Sequence, residues 1–199
     1  QIIKLSKLIG RTPSSVAYKL VNFASLDPSL KKRGIKGASN SSKLDKIIWD
    51  EFYSNWNELP YKSEKLLAEF ENKSMEDLED LNDINLSQLP KGKVREQTIK
   101  TRVNQSFFRK SILASYNSTC CITGITQSQL LIAGHIKPWS LDTENRLNPR
   151  NGIAINALHD TEFENGLITI TPEYRIKIST SLLKEKKTEA IEKYFLQYE

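Results

Sequence analysis

Apolar residues recur at helical spacing along the first 60 residues of the chain. A first stripe covers residues 2–9 and ends at Gly10, a residue typical of helix ends. A second helix is predicted to begin at Thr12 and Pro13, because threonine can cap a helix and proline suits its first turn. A third helix follows a basic, glycine-rich loop at residues 31–42. The apolar faces expected to be buried are Val16, Leu20 and Val21 in the second helix, and Leu44, Ile47, Ile48, Phe52 and Trp56 in the third.

A helix, a tight turn at residues 10–12 and a second helix together have the outline of a helix-turn-helix. The second helix carries polar side chains that can contact phosphates or base edges. Such helix pairs also occur in proteins that bind no nucleic acid, so a helical bundle that only packs against the rest of the chain is the alternative. The side chains available for DNA contacts are Arg11 in the turn and Ser14, Ser15, Tyr18, Lys19 and Asn22 on the second helix.

The pattern changes after about residue 94, where helices alternate with short strands. A helix ending near Asn117 is followed by a predicted short strand and turn at residues 120–124. Apolar runs of strand length occupy residues 130–136 and 153–155, and a helix is predicted from Asn156 to Asn165, with Gly166 as its cap. Residues 167–170 and 174–179 alternate as a hairpin, and residues 184–195 form a charged helix. This part of the chain is predicted to be α+β.

Charge is distributed unevenly along the chain, although the net value is only +5. Residues 1–62 carry 11 basic and 5 acidic side chains, residues 63–90 carry 2 and 8, and residues 91–199 carry 16 and 11. Two basic blocks therefore flank an acidic segment, and basic surfaces attract nucleic acid. We predict a helical, DNA-contacting domain at residues 1–60, an acidic helical linker at 61–93 and a catalytic domain at 94–199.

Composition excludes some classes of protein. No apolar run approaches the roughly 18 residues that a membrane helix needs. The two cysteines, Cys120 and Cys121, are adjacent, so they suggest neither a disulfide framework nor a structural zinc site. Cys120 is expected to be a small buried side chain, and the protein is expected to be cytoplasmic. Because the chain begins at Gln1 rather than Met, we expect that residues precede it.

Only two histidines occur, and both fall within one stretch of the second half. His135 ends an apolar strand beside Gly134, and His159 lies early in the helix that follows the second strand. A strand, a loop, a second strand and a helix would bring both imidazoles to one face of a β-β-α unit. A single histidine on an apolar strand is more often structural, but two within such a frame favour catalysis.

Four short motifs carry a resemblance to a known family. In order, they read C-C-I-T-G at residues 120–124, H-I-K-P-W at 135–139, N-P-R-N-G at 148–152 and L-H-D-T-E-F-E-N-G-L-I-T at 158–169. Their order and spacing resemble those of HNH endonucleases of the bacterial restriction type across residues 102–179. The stretches G-R-T-P-S at residues 10–14 and N-F-A-S-L-D-P at 22–28 are similar to the helical region that often precedes such a domain.

The resemblance implies a ββα-metal fold and assigns roles to three residues. His135 matches the general base, since a neutral imidazole can take a proton from water near neutral pH. Asn151 matches the asparagine that steadies the loop and orients this base. His159 matches a ligand of a divalent metal, which would neutralise the scissile phosphate. Asn151-Gly152 by itself would be an ordinary turn.

The expected metal ligands are incomplete in two respects. Many HNH nucleases place an acidic ligand directly before the base histidine, where this chain has Gly134, and Glu164 stands where aspartate is more common. Asp160 and Glu164, four residues apart on one helix face, are the candidates for the missing ligand. Asp160 could equally serve the electrostatics of the helix terminus. Mg²⁺ is the expected ion, with Mn²⁺ as the alternative and no structural zinc.

The resemblance also predicts the partners. Double-stranded DNA is the expected substrate, and Arg146 and Arg150, between the two strands, are placed to clamp phosphates. A homodimer would supply the two active sites that double-strand cutting usually takes. Trp139 and Phe163 are expected in the core. The alternatives are a non-catalytic DNA-binding protein with a degenerate HNH frame, and a nicking or RNA-directed nuclease.

Overall fold

The structure, a computed structural model, describes residues 1–38, 40–53, 55–78, 81–185 and 188–198. Two compact units can be distinguished by their internal contacts. The first comprises residues 1–107 with 144–147, and the second comprises residues 108–143 with 148–199. Helices combined with two small antiparallel sheets confirm the α+β class. No helix among the described residues is both long and apolar enough to cross a membrane.

The helices of the first unit begin and end where local chemistry predicts. Gly10 adopts a positive φ of 64° after the first helix, and the Thr12 hydroxyl accepts a hydrogen bond from the Ser15 amide at 3.2 Å. Ser42 and Asp45 form a capping box at a later helix start. The helices are α1 (Ile2–Leu8), α2 (Pro13–Leu26), α3 (Pro28–Lys32), α4 (Lys43–Phe52), α5 (Leu59–Phe70) and α6 (Lys93–Ser115), the last of which continues into the second unit.

The apolar faces predicted for α2 and α4 are only partly buried. Val16 is 7% exposed as expected, but Leu20 is 53% exposed, and Leu44 and Ile47 of α4 are 64% and 61% exposed. Val21 and Ile48 are exposed as well. A buried cluster of this unit lies elsewhere, where Leu81 packs with Ile99 and Val103 of α6. The helices were therefore predicted correctly, whereas the burial of these faces was not.

A buried carboxylate joins α2 to α4. Asp45 is 4% exposed, and its oxygens accept hydrogen bonds from Lys19 Nζ at 2.8 Å and Asn22 Nδ2 at 3.4 Å. A buried charge is stable only when paired, which explains this arrangement. Two of the predicted DNA contacts are thus used inside the unit, because Asn22 is buried and the Lys19 ammonium is held in an ion pair.

The predicted acidic linker contributes to the core of the first unit. It contains most of α5 and short 3₁₀ turns at Met75–Asp77 and Leu86–Gln88, and Leu81 is 2% exposed. The predicted boundaries at residues 60 and 93 differ from the division between the units, because apolar residues between the acidic ones pack on α6. Glu79 and Asp80 of the acidic run lie outside the described residues.

The second unit is built on two antiparallel strand pairs. β1 (Leu131–His135) pairs with β2 (Gly152–Asn156), and α7 (Ala157–Glu164) follows at once. β3 (Ile168–Ile170) pairs with β4 (Ile176–Ile178), and α8 (Thr180–Leu183) and α9 (Glu189–Tyr194) complete the unit. Leu131, Ile153 and Ile155 form a core with Cys120. The strand–strand–helix order predicted from the sequence is confirmed.

Two local expectations for this unit are corrected. Residues 120–124, predicted as a short strand and turn, form the turn without the strand. The Cys121 amide holds this turn to β2 by donating to the Ala154 carbonyl at 2.8 Å. The charged helix predicted at residues 184–195 is shorter than expected, because α9 covers only Glu189–Tyr194; Lys186 and Lys187 lie outside the described residues. Cys120, 2% exposed, is a small core side chain as expected, and both cysteines are free.

Candidate active site

The β1–β2–α7 segment fixes the backbone positions of the three predicted site residues. His135 is the last residue of β1 and pairs with Gly152, the first residue of β2. Asn151 directly precedes β2, and His159 is the third residue of α7. Residues that are 24 apart in sequence are thereby carried on one small strand–strand–helix unit.

The His135 ring is held between aromatic side chains. It is half-buried and stacks on Phe108 of α6, with ring centroids 4.2 Å apart and planes 3° from parallel. Trp139 meets it edge-on at 5.5 Å. Trp139 is 40% exposed, so the expectation that it belongs to the core is wrong; Phe163, by contrast, packs on both clusters of this unit. The two aromatic contacts restrict the plane of the imidazole.

Gly152 makes room for this stack. A Cβ added at Gly152 would lie 2.4 Å from Ile112 Cδ1 and 2.7 Å from Phe108 Cζ. The helix α6 can therefore pack closely on β2 only because this position carries no side chain. The close packing puts Phe108 against the His135 ring.

Asn151 ties down the chain that follows His135. Its Oδ1 accepts a hydrogen bond from the Lys137 amide at 2.8 Å, and its Nδ2 donates to the Lys137 carbonyl at 3.2 Å. The Asn151 carbonyl also accepts from the Ile136 amide at 2.9 Å. The side chain is 7% exposed, so these bonds are shielded from water. The arrangement matches a residue that steadies the loop beside His135.

His159 is 3% exposed, and its ring is fixed from two sides. Asn156 contacts Nδ1, and the Tyr198 ring lies edge-on against the imidazole at 5.2 Å. Nε2 is buried and makes no well-formed hydrogen bond with any residue that the structure describes. Burial lowers the pKa of His159, opposed by a smaller effect of the Tyr194 backbone. The neutral ring, which is the form that binds metal, is thereby favoured.

Asp160 occupies the space that Gly134 leaves open. A Cβ added at Gly134 would lie 2.5 Å from Asp160 Oδ1, and Asp160 is 9% exposed. The carboxylate of α7 thus lies against the strand position where many HNH nucleases carry their acidic ligand. Burial raises the pKa of Asp160, the Glu164 carboxylate raises it further, and His135 opposes both effects.

Sequence reasoning missed one buried acid in this helix. Glu162 is 3% exposed, and neither of its carboxylate oxygens has a hydrogen-bond partner among the described residues. Burial raises its pKa to about 7. The signal was helical spacing, because Glu162 follows His159 by three positions and therefore shares its side of the helix.

The predicted metal ligands are not gathered into a closed shell. Within the described ranges, no group of three or more His, Cys, Asp or Glu side chains could hold a metal ion. Glu164, which is exposed, is close enough to raise the pKa of Asp160. Mg²⁺ usually keeps several waters and takes only one or two carboxylates from the protein. The Asp160 carboxylate beside Gly134 fits such a sparse site, whereas Nε2 of His159 is buried and becomes available to a cation only if the side chains that cover it move.

The predicted phosphate contacts lie in different surroundings. Arg150 is exposed in the 3₁₀ turn Pro149–Asn151, next to Asn151, and Arg11 is exposed between α1 and α2. Arg146 is half-buried in the segment between β1 and β2, and Lys19 is paired with Asp45. Of the two arginines predicted to clamp phosphates, Arg150 is therefore the exposed one.

Comparison with known proteins covers the same segment. No curated protein matches the chain. The sequence model of one family matches residues 120–171, which include His135, Asn151 and His159. That family is described as HNH endonuclease, and an HNH domain indicates a nuclease, which acts on nucleic acid and generally uses a divalent metal ion.

Proposed function

We propose that this protein is a metal-dependent DNA endonuclease that hydrolyses phosphodiester bonds and acts in the cytoplasm in bacterial restriction or another form of defence. The observation that supports the proposal best is the pair of hydrogen bonds between the Asn151 side chain and the Lys137 backbone. A buried amide makes two hydrogen bonds to Lys137, two residues after His135, inside the segment that matches the HNH family. This contact fixes the backbone that directly follows the proposed base.

His135 is the general base in this proposal. Its ring stacks on Phe108 and meets Trp139 at its edge, so its plane is set before substrate arrives. A base held in this way can take a proton from a water molecule that attacks the phosphorus atom. Asn151 serves the same step by fixing the backbone that leaves β1.

His159, Asp160 and Glu164 are the proposed metal ligands. Asp160 compensates for the missing acidic side chain at Gly134, since its carboxylate lies against that position. When bound, the divalent ion, Mg²⁺ or Mn²⁺, supplies positive charge that stabilises the leaving oxygen of the phosphodiester. Asp160 offers its carboxylate from the side of α7 that lies against Gly134 of β1, whereas Glu164 offers its carboxylate from an exposed position.

Double-stranded DNA is the proposed substrate, with Arg150, Arg146 and Arg11 as phosphate contacts. Lys19 contributes least, because engaging a phosphate would require its ammonium to leave the buried Asp45 carboxylate. A homodimer would allow both strands to be cut. A nicking nuclease or an RNA-directed nuclease, the alternatives, would use the same chemistry on a different substrate.

One observation favours a second function. Because no three-ligand cluster exists among the residues that the structure describes, the frame could be a degenerate one that binds DNA without cutting it. The two functions differ in their response to metal, since a degenerate site would show no stabilisation of the fold by Mg²⁺ or Mn²⁺.

The decisive experiment is cleavage of supercoiled plasmid with Mg²⁺, Mn²⁺ or EDTA, comparing wild type with His135→Ala and His159→Ala. Loss of a general base lowers a rate by roughly 10²–10⁴-fold, so we expect His135→Ala to abolish detectable cutting. This variant should still bind DNA and Mn²⁺, whereas His159→Ala should lose Mn²⁺ binding as well. Cutting by His135→Ala at the wild-type rate would overturn the mechanism. DNA binding by wild type without any cutting would establish the degenerate module instead.

A further inference from the structure

A basic loop, residues 31–38, covers the end of α3 and the chain that follows it in the first unit. It carries no acidic side chain and four cationic ones, which are Lys31, Lys32, Arg33 and Lys36. All four are exposed, and none of them forms an ion pair with a residue that the structure describes. Their positive charge is therefore not neutralised within the described part of the fold.

The backbone of the basic loop is fixed by contacts inside the first unit. Gly34, with a φ of 73°, ends α3, and the Ile35 amide donates to the Leu30 carbonyl at 3.0 Å. Gly37 lies directly against the end of α2, because a Cβ added to it would lie 2.4 Å from the Ser25 nitrogen. A loop held in this way presents its charges at set positions, so less conformational entropy is lost when a ligand binds.

A groove of about 530 Å³ lies between the end of α2 and the basic loop. Its lining includes Lys31, Lys36 and Ser41 together with the apolar side chains of Leu26 and Ile35, and none of the described residues that line it is acidic. Ammonium groups and hydroxyls bind phosphate oxygens. Because the cations are spread over residues 31–36, they match a ligand with repeated phosphates better than a single phosphate ion.

We propose that the basic loop contacts the phosphate backbone of double-stranded DNA. The inference rests on the proposed function, in which DNA is the substrate, and adds a binding surface that lies outside the residues predicted to contact DNA. It also supplies charge that α2 does not, since Lys19 is paired with Asp45 and Asn22 is buried. Phosphate contacts hold a protein on DNA without reading its bases. The loop should therefore contribute affinity rather than sequence specificity.

The test compares two double variants that lose the same charge. Lys31→Gln with Lys36→Gln removes the two ammonium groups of the groove, and Lys65→Gln with Lys91→Gln, the control, removes two exposed ammonium groups elsewhere in the first unit. Binding of the full chain to a labelled DNA duplex is measured by fluorescence anisotropy in EDTA over a range of salt concentrations. Each phosphate contact contributes roughly 0.9 to the slope of log affinity against log salt. The groove variant should therefore lower this slope by roughly 2 and the affinity by about tenfold or more, whereas the control should stay near wild type.

Three results would overturn the proposal. Equal losses of affinity in the two double variants would mean that net charge alone explains binding. A groove variant that binds DNA like wild type, while wild type cuts plasmid, would remove the role of the loop and leave the proposed function standing. Wild type that neither binds nor cuts DNA would remove the proposed function as well. Vesicles that contain anionic lipid serve as a further probe, because binding to them that is lost only in the groove variant, with DNA binding unchanged, would assign the loop to a membrane surface instead.

Discussion

In the second unit, Ile155 of β2 is 0% exposed and packs with Ile153, Leu131 and Cys120, whereas Ile47 of α4 in the first unit is 61% exposed. Helical spacing put Ile47 on an apolar face that was expected to be buried, and Ile155 lies in an apolar run that was predicted to be a strand. The strands of the second unit are covered by α7, which contacts β1, β2 and β3. Helical spacing in α4 established that the helix has an apolar side, but not that another element covers it.

The same contrast holds for buried carboxylates. Asp45 in the first unit is held by Lys19, Asn22 and the Ser42 amide. Glu162 in the second unit is equally buried but has no hydrogen-bond partner among the described residues. The buried carboxylate of the first unit is therefore hydrogen-bonded and serves the fold. The buried carboxylate of the second unit lies within three residues of His159 without a hydrogen bond from the described residues, as is often seen at functional sites.

The largest expected effect comes from truncating one isoleucine in each unit. Ile155→Ala should destabilise the second unit by about 2–5 kcal/mol, because a fully buried side chain leaves a cavity. Ile47→Ala should change stability by less than about 0.5 kcal/mol, as exposed substitutions usually do. Hydrogen exchange measured separately for α4 and β2 would check both. A large loss of stability in Ile47→Ala would show that this face of α4 is covered in solution. The contrast between the exposed Ile47 and the buried Ile155 would then no longer hold.

The second unit could be predicted from the sequence in some detail because its strands are short, apolar and bounded by turn residues. His135 and His159 were placed on the correct elements because the chain has only two histidines, set in a strand–strand–helix pattern. The strand predicted within residues 120–124 is absent, since this segment makes only a single backbone bond to β2, from Cys121 to Ala154.

In the first unit, residue spacing predicted where a helix begins but not which distant residues its side chains contact. Thr12 identified a helix start because capping is local chemistry. Lys19 and Asn22 were assigned to DNA because polar residues on a helix suggest an exposed face. Their actual partner, Asp45, lies more than 20 residues away in sequence, and no local pattern indicates such a contact.

The next effect concerns the two buried acids and differs in sign between them. The rise in the pKa of Glu162 from 4.5 to about 7 corresponds to roughly 3 kcal/mol. An acid whose folded pKa is raised holds its proton longer in the folded state, so wild type loses stability as pH rises from about 4.5 to about 7. Glu162→Gln should therefore be more stable than wild type at pH 8, by no more than this amount, because the buried amide has its own desolvation cost.

Asp45→Asn provides the opposite case. The Lys19 hydrogen bond, with the Ser42 amide, lowers the pKa of Asp45, so its stabilising effect is present above the ordinary pKa near 3.8 and is lost as pH falls below it. Asp45→Asn should be less stable than wild type at pH 8, and the difference should shrink at pH 3. Unfolding temperatures across this range test both signs. An advantage of Glu162→Gln at pH 4 as large as at pH 8 would contradict the assignment to ionisation.

The smallest expected effects involve two glycines that are needed for different reasons. Gly152 lacks space for a side chain, since its Cβ would meet Ile112 and Phe108, and overpacking of this kind costs about 1–3 kcal/mol. Gly10 has open space but a φ of 64°, where a side chain costs roughly 1–2 kcal/mol.

The stabilities of Gly152→Ala and Gly10→Ala should therefore be similar, and the rate of plasmid cleavage is the measurement that distinguishes the two variants. Gly152→Ala must displace Phe108, on which the His135 ring stacks, and should lower the cleavage rate beyond its effect on folding. Gly10→Ala should leave the rate per folded molecule near that of wild type, and equal rates in the two variants would mean that the Phe108 stack does not position the proposed base.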